Sequence, residues 1–104
     1  MTNNNFMRRL LLEAAHRQGW KADKWIARGL GVSQPMPSLW RHGDRLPSDE
    51  IMLSICQAAG YPPHLGLLQL HRLKARTPDV AAIFADLEER ERAALPDKQN
   101  DAAA

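Results

Sequence analysis

Glycine falls at the foot of one helical stripe after another, at Gly19, Gly31, Gly43 and Gly60. A residue without a Cβ takes up the left-handed backbone that closes a helix at little steric cost. Between these stops the apolar residues recur every three or four positions, and no stretch alternates as a strand would. The chain is therefore divided into short amphipathic helices that bury their stripes only against one another.

The elements follow from these stops and the start signals between them. Phe6, Leu10 and Ala14, with Met7, Leu11 and Ala15 beside them, predict a helix over Phe6–Arg17, preceded by a polar, disordered lead-in at residues 1–5. Gly19 ends it, and Trp20 folds back on the core. Asp23 is the expected N-cap of a short helix to Leu30, with Ile26, Ala27 and Leu30 inward and Gly31 closing it. After Gly43, the run Leu46-Pro47-Ser48-Asp49-Glu50 starts a further helix, with Ser48 capping and two acids in the positive first turn. Met52, Ile55, Cys56 and Ala59 are its inner stripe. Pro63 opens a fifth helix running to about Arg76, with Leu67, Leu70 and Leu73 or Lys74 along one side. Thr77-Pro78-Asp79 opens a sixth, whose apolar face is Val80, Ile83, Phe84 and Leu87. That face is expected to pack within the chain; an alternative use, with Phe84, is to complete a dimer. The expectation is an all-α domain of five to six helices over residues 1–95, with a disordered tail at 96–104.

At 104 residues the chain supports one modest core, and its 44% apolar and 25% charged content is that of a soluble globular protein. Its longest apolar run, Leu10–Leu12, is too short for a membrane span or a signal peptide, so a cytoplasmic location is expected. The single cysteine, Cys56, excludes an internal disulfide and a cysteine-rich zinc site. His16, His42, His64 and His71 share no metal-ligand spacing. Because Cys56 lies on an inner stripe, it reads as an inert core thiol. No phosphate-binding glycine loop, paired catalytic carboxylates or nucleophile–base pair is present, so neither catalysis nor a cofactor is expected. Charge is uneven: residues 1–46 carry eight Lys/Arg against three acids, and residues 47–104 carry six against nine. A basic front half suits a polyanion partner, although a solvated surface of mixed charge gives the same count.

The stretch Gly31-Val32-Ser33-Gln34-Pro35-Met36-Pro37-Ser38-Leu39-Trp40-Arg41-His42-Gly43 sets a local problem. With Ser33 as N-cap, Pro35 sits at the second helical position, where its missing N–H has no intrahelical partner to lose. Pro37 sits at the fourth, where it deletes the first helical bond and crowds the Ser33 carbonyl. It also pushes Met36 away from helical angles. The favoured outcome is a helix that starts late, over Pro37–His42, on the order of 9 Å long. A regular helix from Gln34 to His42 is the alternative.

Four pieces then stand in order: the turn Leu30-Gly31-Val32-Ser33, the helix end Ser38-Leu39-Trp40-Arg41-His42-Gly43, the start Pro47-Ser48-Asp49-Glu50, and the break Arg76-Thr77-Pro78-Asp79-Val80. Together they resemble the Cro/repressor-type helix-turn-helix family, most closely its phage-associated members, over about Leu10 to Phe84. The resemblance implies a lambda-repressor-like helix-turn-helix domain, with the motif at about residues 22–43 and an extra C-terminal helix. It implies a sequence-specific regulator of phage or prophage type, a repressor or Cro-like protein, that binds double-stranded DNA and is not an enzyme. Placed on this chain, the family's base-facing positions are Gln34, Pro35, Ser38 and Leu39. Gln34 suits adenine, while Pro35 and Leu39 offer only apolar contact to a thymine methyl. Lys21, Lys24, Arg41, His42 and Arg45 surround that edge as phosphate contacts, and Arg28 is a weaker candidate. A homodimer, or another phage or host protein, would be a further partner.

Three residues depart from the family pattern. Pro37 puts direct base readout in doubt, Ala22 replaces the usual capping serine, and Trp25 replaces a small residue. The Trp25 ring is expected to lie over the edge of the core; left exposed beside Trp20, it would mark a partner surface. The competing function is a degenerate helix-turn-helix that binds protein, such as an antirepressor.

Overall fold

The computed structural model describes residues 2–95, with side chains from Phe6 onward; the tail expected over 96–104 lies outside the described residues. Six helices follow in order: α1 Thr2–Gln18, α2 Asp23–Leu30, α3 Met36–His42, α4 Asp49–Ala59, α5 Pro63–Lys74 and α6 Pro78–Ala94. No strand occurs among the described residues. The all-α expectation holds.

α1 begins four residues earlier than its apolar periodicity indicates, so its first turn replaces the disordered lead-in expected there. Asparagine is a weak helix former but not a breaker, and a helix nucleated by Phe6–Leu11 extends through it. At the other end Gly19 turns at φ +76°, and the Trp20 N–H donates to the Ala15 carbonyl at 2.9 Å. That closure lays Trp20 against the core as expected.

Met7, Leu10, Leu11 and Ala14 of α1 meet Ile26 and Leu30 of α2, Trp40 of α3 and the full stripe of α4 in one cluster. α1 packs on α3 and α4, α4 packs on α5, and α2 packs on α3 and α4. In α4 the Ser48 hydroxyl accepts from the Ile51 N–H at 3.3 Å, and Met52, Ile55, Cys56 and Ala59 are all buried. Burial pushes the Cys56 thiol up to about 11, so it remains a neutral, inert thiol near neutral pH.

α5 comes so close to α4 that a Cβ at Gly66 would stand 2.3 Å from Cys56 Sγ. It stops at Lys74, two residues before the expected end, because Ala75 is extended ahead of the next cap. Leu70 is fully buried, while Leu67 and Leu73 are half-buried. The face turned inward also holds Leu65, Gly66 and Gln69, and Gln69 accepts the Tyr61 hydroxyl at 2.8 Å.

α6 is capped by Thr77, whose hydroxyl accepts from the Val80 N–H at 3.2 Å, as expected. Its apolar face is not buried. Val80, Ile83 and Leu87 are exposed, Ile83 by 60%, and only Phe84 of the expected four turns partly inward. α6 packs principally on α5, through the Phe84 ring stacked on His71 and a part-buried ion pair between the buried Glu88 and the half-exposed Arg72. One neighbouring helix covers one side of α6, and the apolar stripe falls beside that contact rather than within it.

Candidate nucleic-acid interface

The two short helices α2 and α3 are joined by a turn that begins at Gly31, φ +72°, with the Val32 N–H donating to Ala27 at 2.9 Å. Gly31 could not carry a side chain without strain at that φ. The turn leads into the double-proline entry.

α3 is short: it spans seven residues, with Pro35 as N-cap and Pro37 at the second helical position. A regular helix from Gln34 is absent, and the late start is as expected. One detail differs, since Met36 was expected outside the helix and is its first residue. Pro35 has near-helical angles (φ −71°, ψ −13°), and the Met36 N–H donates to the Ser33 carbonyl at 3.1 Å. The carbonyl that Pro37 would have crowded thus serves an entry turn instead. At its new position Pro37 lacks only an N–H with no intrahelical partner, and its ring is buried. Downstream, Trp40 is 1% exposed and anchors α3 in the core, its Nε1–H without an acceptor among the described residues.

The four base-facing candidates separate into two groups. Gln34 and Pro35 are exposed, but they belong to the entry turn and not to α3. Ser38 and Leu39 lie on α3 and are half-buried. His42 Nδ1 donates to the Ser38 carbonyl at 2.9 Å and lies 3.3 Å from the Ser38 hydroxyl. Because that bond takes Nδ1, Nε2 is the ring nitrogen left to meet a ligand.

The expected phosphate contacts separate as well. Lys21, Lys24 and Arg45 are exposed and form no ion pair among the described residues. Arg41 is bound on both guanidinium arms to Asp23, Nη1 to Oδ1 at 2.8 Å and Nη2 to Oδ2 at 2.7 Å. The hydrogen bond from Arg41 holds the Asp23 carboxyl below its ordinary value despite partial burial, and the same bond raises Arg41. Two expectations change together. Asp23 does not cap α2, whose N-cap is Ala22 with no side-chain bond, and Arg41 is a neutralised cation tying α3 to the start of α2. Nothing local signals this pairing, since the partners lie 18 residues apart.

Trp25 is 42% exposed and does not lie over the core edge as expected. Lys24 Nζ reaches within 5.4 Å of its ring centroid and Arg28 Cζ within 5.1 Å. Arg28, the weaker candidate, is thereby an ordered cation on the same exposed face, with no ion pair among the described residues. Its spacing of four residues from Lys24, one helical turn, was the signal in the sequence for that face.

Among the described residues no group of His, Cys, Asp and Glu is arranged to hold a metal ion, and none of their helices is long and apolar enough to cross a membrane. Comparison with known protein families, curated proteins and solved structures finds no match for the chain.

Proposed function

We propose that the chain is a non-enzymatic, sequence-specific regulator that binds double-stranded DNA through α2 and α3, in the manner of a phage or prophage repressor or Cro-like protein. The observation that carries this reading is a set of exposed cations flanking the pair that form no ion pair among the described residues: Lys21 just before α2, Lys24 and Arg28 on it, and Arg45 after α3. Such cations release condensed counterions when they meet phosphates, and that release supplies much of a DNA-binding protein's affinity. The exposed Gln34 and Pro35 stand at the entrance to α3, where a helix placed in the major groove presents its first residues to base edges. With Ser38 and Leu39 half-buried, the share of readout carried by side-chain hydrogen bonds is small. Gln34, methyl contacts and phosphates carry the larger part.

Two copies reading half-sites about 34 Å apart would place one α3 in each successive turn of the groove. The exposed α6 stripe favours such a second copy over a lone chain.

Titrating a duplex pool at several salt concentrations, followed by selection from random sequence, tests the reading. The logarithm of the affinity should fall linearly with the logarithm of salt, by about 0.9 per phosphate contacted. Arg45→Ala should flatten that slope by about one contact. No duplex binding at ~50 mM salt overturns the proposal.

The competing reading, a helix-turn-helix module that binds protein, is favoured by the exposed Trp25. It would be supported by a partner lost on Trp25→Ala from a chain with no duplex affinity.

A further inference from the structure

Arg41 and Arg28 are the same residue type on neighbouring helices with opposite electrostatic fates. Arg41 meets a carboxylate on both arms, and its charge is cancelled locally. Arg28 and Lys24 meet an indole ring instead. The ring's quadrupole attracts and orients a cation without neutralising it. Trp25 therefore does what an acidic partner cannot: it restrains two long, flexible side chains while their full charge stays available to an anion. Lys21 lies exposed two residues before α2, and the exposed face of α2 itself presents two ring-ordered cations, Lys24 and Arg28, around a flat apolar plate. The charge spacing suits a polyanion, and the plate suits the apolar edge of a sugar lying between two phosphates.

Resting on the DNA-binding reading above, we propose that Trp25 is itself a DNA contact. Lys24 and Arg28 take phosphates of one strand, and the indole covers the deoxyribose between them. α2 thus grips the backbone through a cation–indole–cation cluster, and the unpaired charge that the Asp23 contact removes from Arg41 is supplied by Arg28.

The test compares wild type, Trp25→Ala and Trp25→Phe by anisotropy of a labelled duplex across a salt series, with tryptophan emission recorded in parallel. Trp25 is an exposed residue, and circular dichroism checks that each variant remains helical. Trp25→Ala should bind about tenfold more weakly with an unchanged salt slope, because the cations remain while the plate is lost. Trp25→Phe should bind within about threefold of wild type, since a benzene ring still orients the cations. Duplex addition should change the emission of the wild type more than that of Trp25→Phe, because Trp40 is enclosed and Trp20 is half-buried. Wild-type binding that Trp25→Ala leaves intact, or saturation of the wild type without a change in emission, overturns the inference while leaving the function standing. Absence of wild-type binding overturns both.

Discussion

Asp23 sits at the first turn of α2, where a carboxylate is favoured by the helix dipole, and its two oxygens occupy both arms of the Arg41 guanidinium. Replacing it with asparagine releases the guanidinium. Asp23→Asn is therefore expected to raise duplex affinity several-fold and to steepen the salt dependence by about one contact, read in the same titration. By the same logic Arg41→Ala should change that slope less than Arg45→Ala. The cost is small, since an ion pair with this exposure contributes at most about 1 kcal/mol. Its pH dependence has a definite sign. The folded carboxyl titrates below its ordinary 3.8, so the contribution is complete above the unfolded value and disappears as pH falls through the folded one. Thermal melts between pH 7 and pH 3 should show wild type and Asp23→Asn converging at the acid end.

Helix ends and helix faces differ in how far they can be read from sequence. An end is a local event. Gly31 closes α2, Ser48 caps α4 and Thr77 caps α6, each within three or four residues of the signal. The late start of α3 is equally local, because Pro37 alone forbids the early one. A face is not local. The stripe of Val80, Ile83 and Leu87 was legible, but periodicity says that a stripe exists and not what covers it. Likewise the Asp23–Arg41 pair and the two cations on Trp25 depend on which helices become neighbours and which side chains stay in solvent. The fold's outline was thus legible, and the electrostatics of the candidate site were not. The junction of α4 and α5 gives a prediction at this scale. Gly66→Ala forces its new methyl into Cys56 Sγ, and it should destabilise by about 1–3 kcal/mol. Denaturant melts monitored by circular dichroism measure this, and a loss below about 0.5 kcal/mol would show that the two helices can part freely.

Across the molecule, the basic α2–α3 region and the acidic-rich C-terminal half are set on different helices joined through one core. In the proposed complex, charge repulsion from the rear would be kept off the face that meets DNA. α6 leaves its apolar stripe beyond that core, with α5 as its principal neighbour. The proposed homodimer predicts sedimentation at twice the chain's mass, and Ile83→Glu should return it to monomer with its helicity intact. Duplexes carrying two half-sites would then be bound far more weakly, while single half-sites would be little affected.

Two of the chain's three tryptophans are optical probes with separate jobs. Trp40 is enclosed, with its indole N–H meeting no acceptor among the described residues, so its emission is expected to lie to the blue and to shift when the core opens. Trp25 stands in solvent between two charges and is insensitive to core packing. Once the half-buried Trp20 is replaced by phenylalanine, a single unlabelled sample reports folding through one indole and surface engagement through the other, at distinguishable wavelengths.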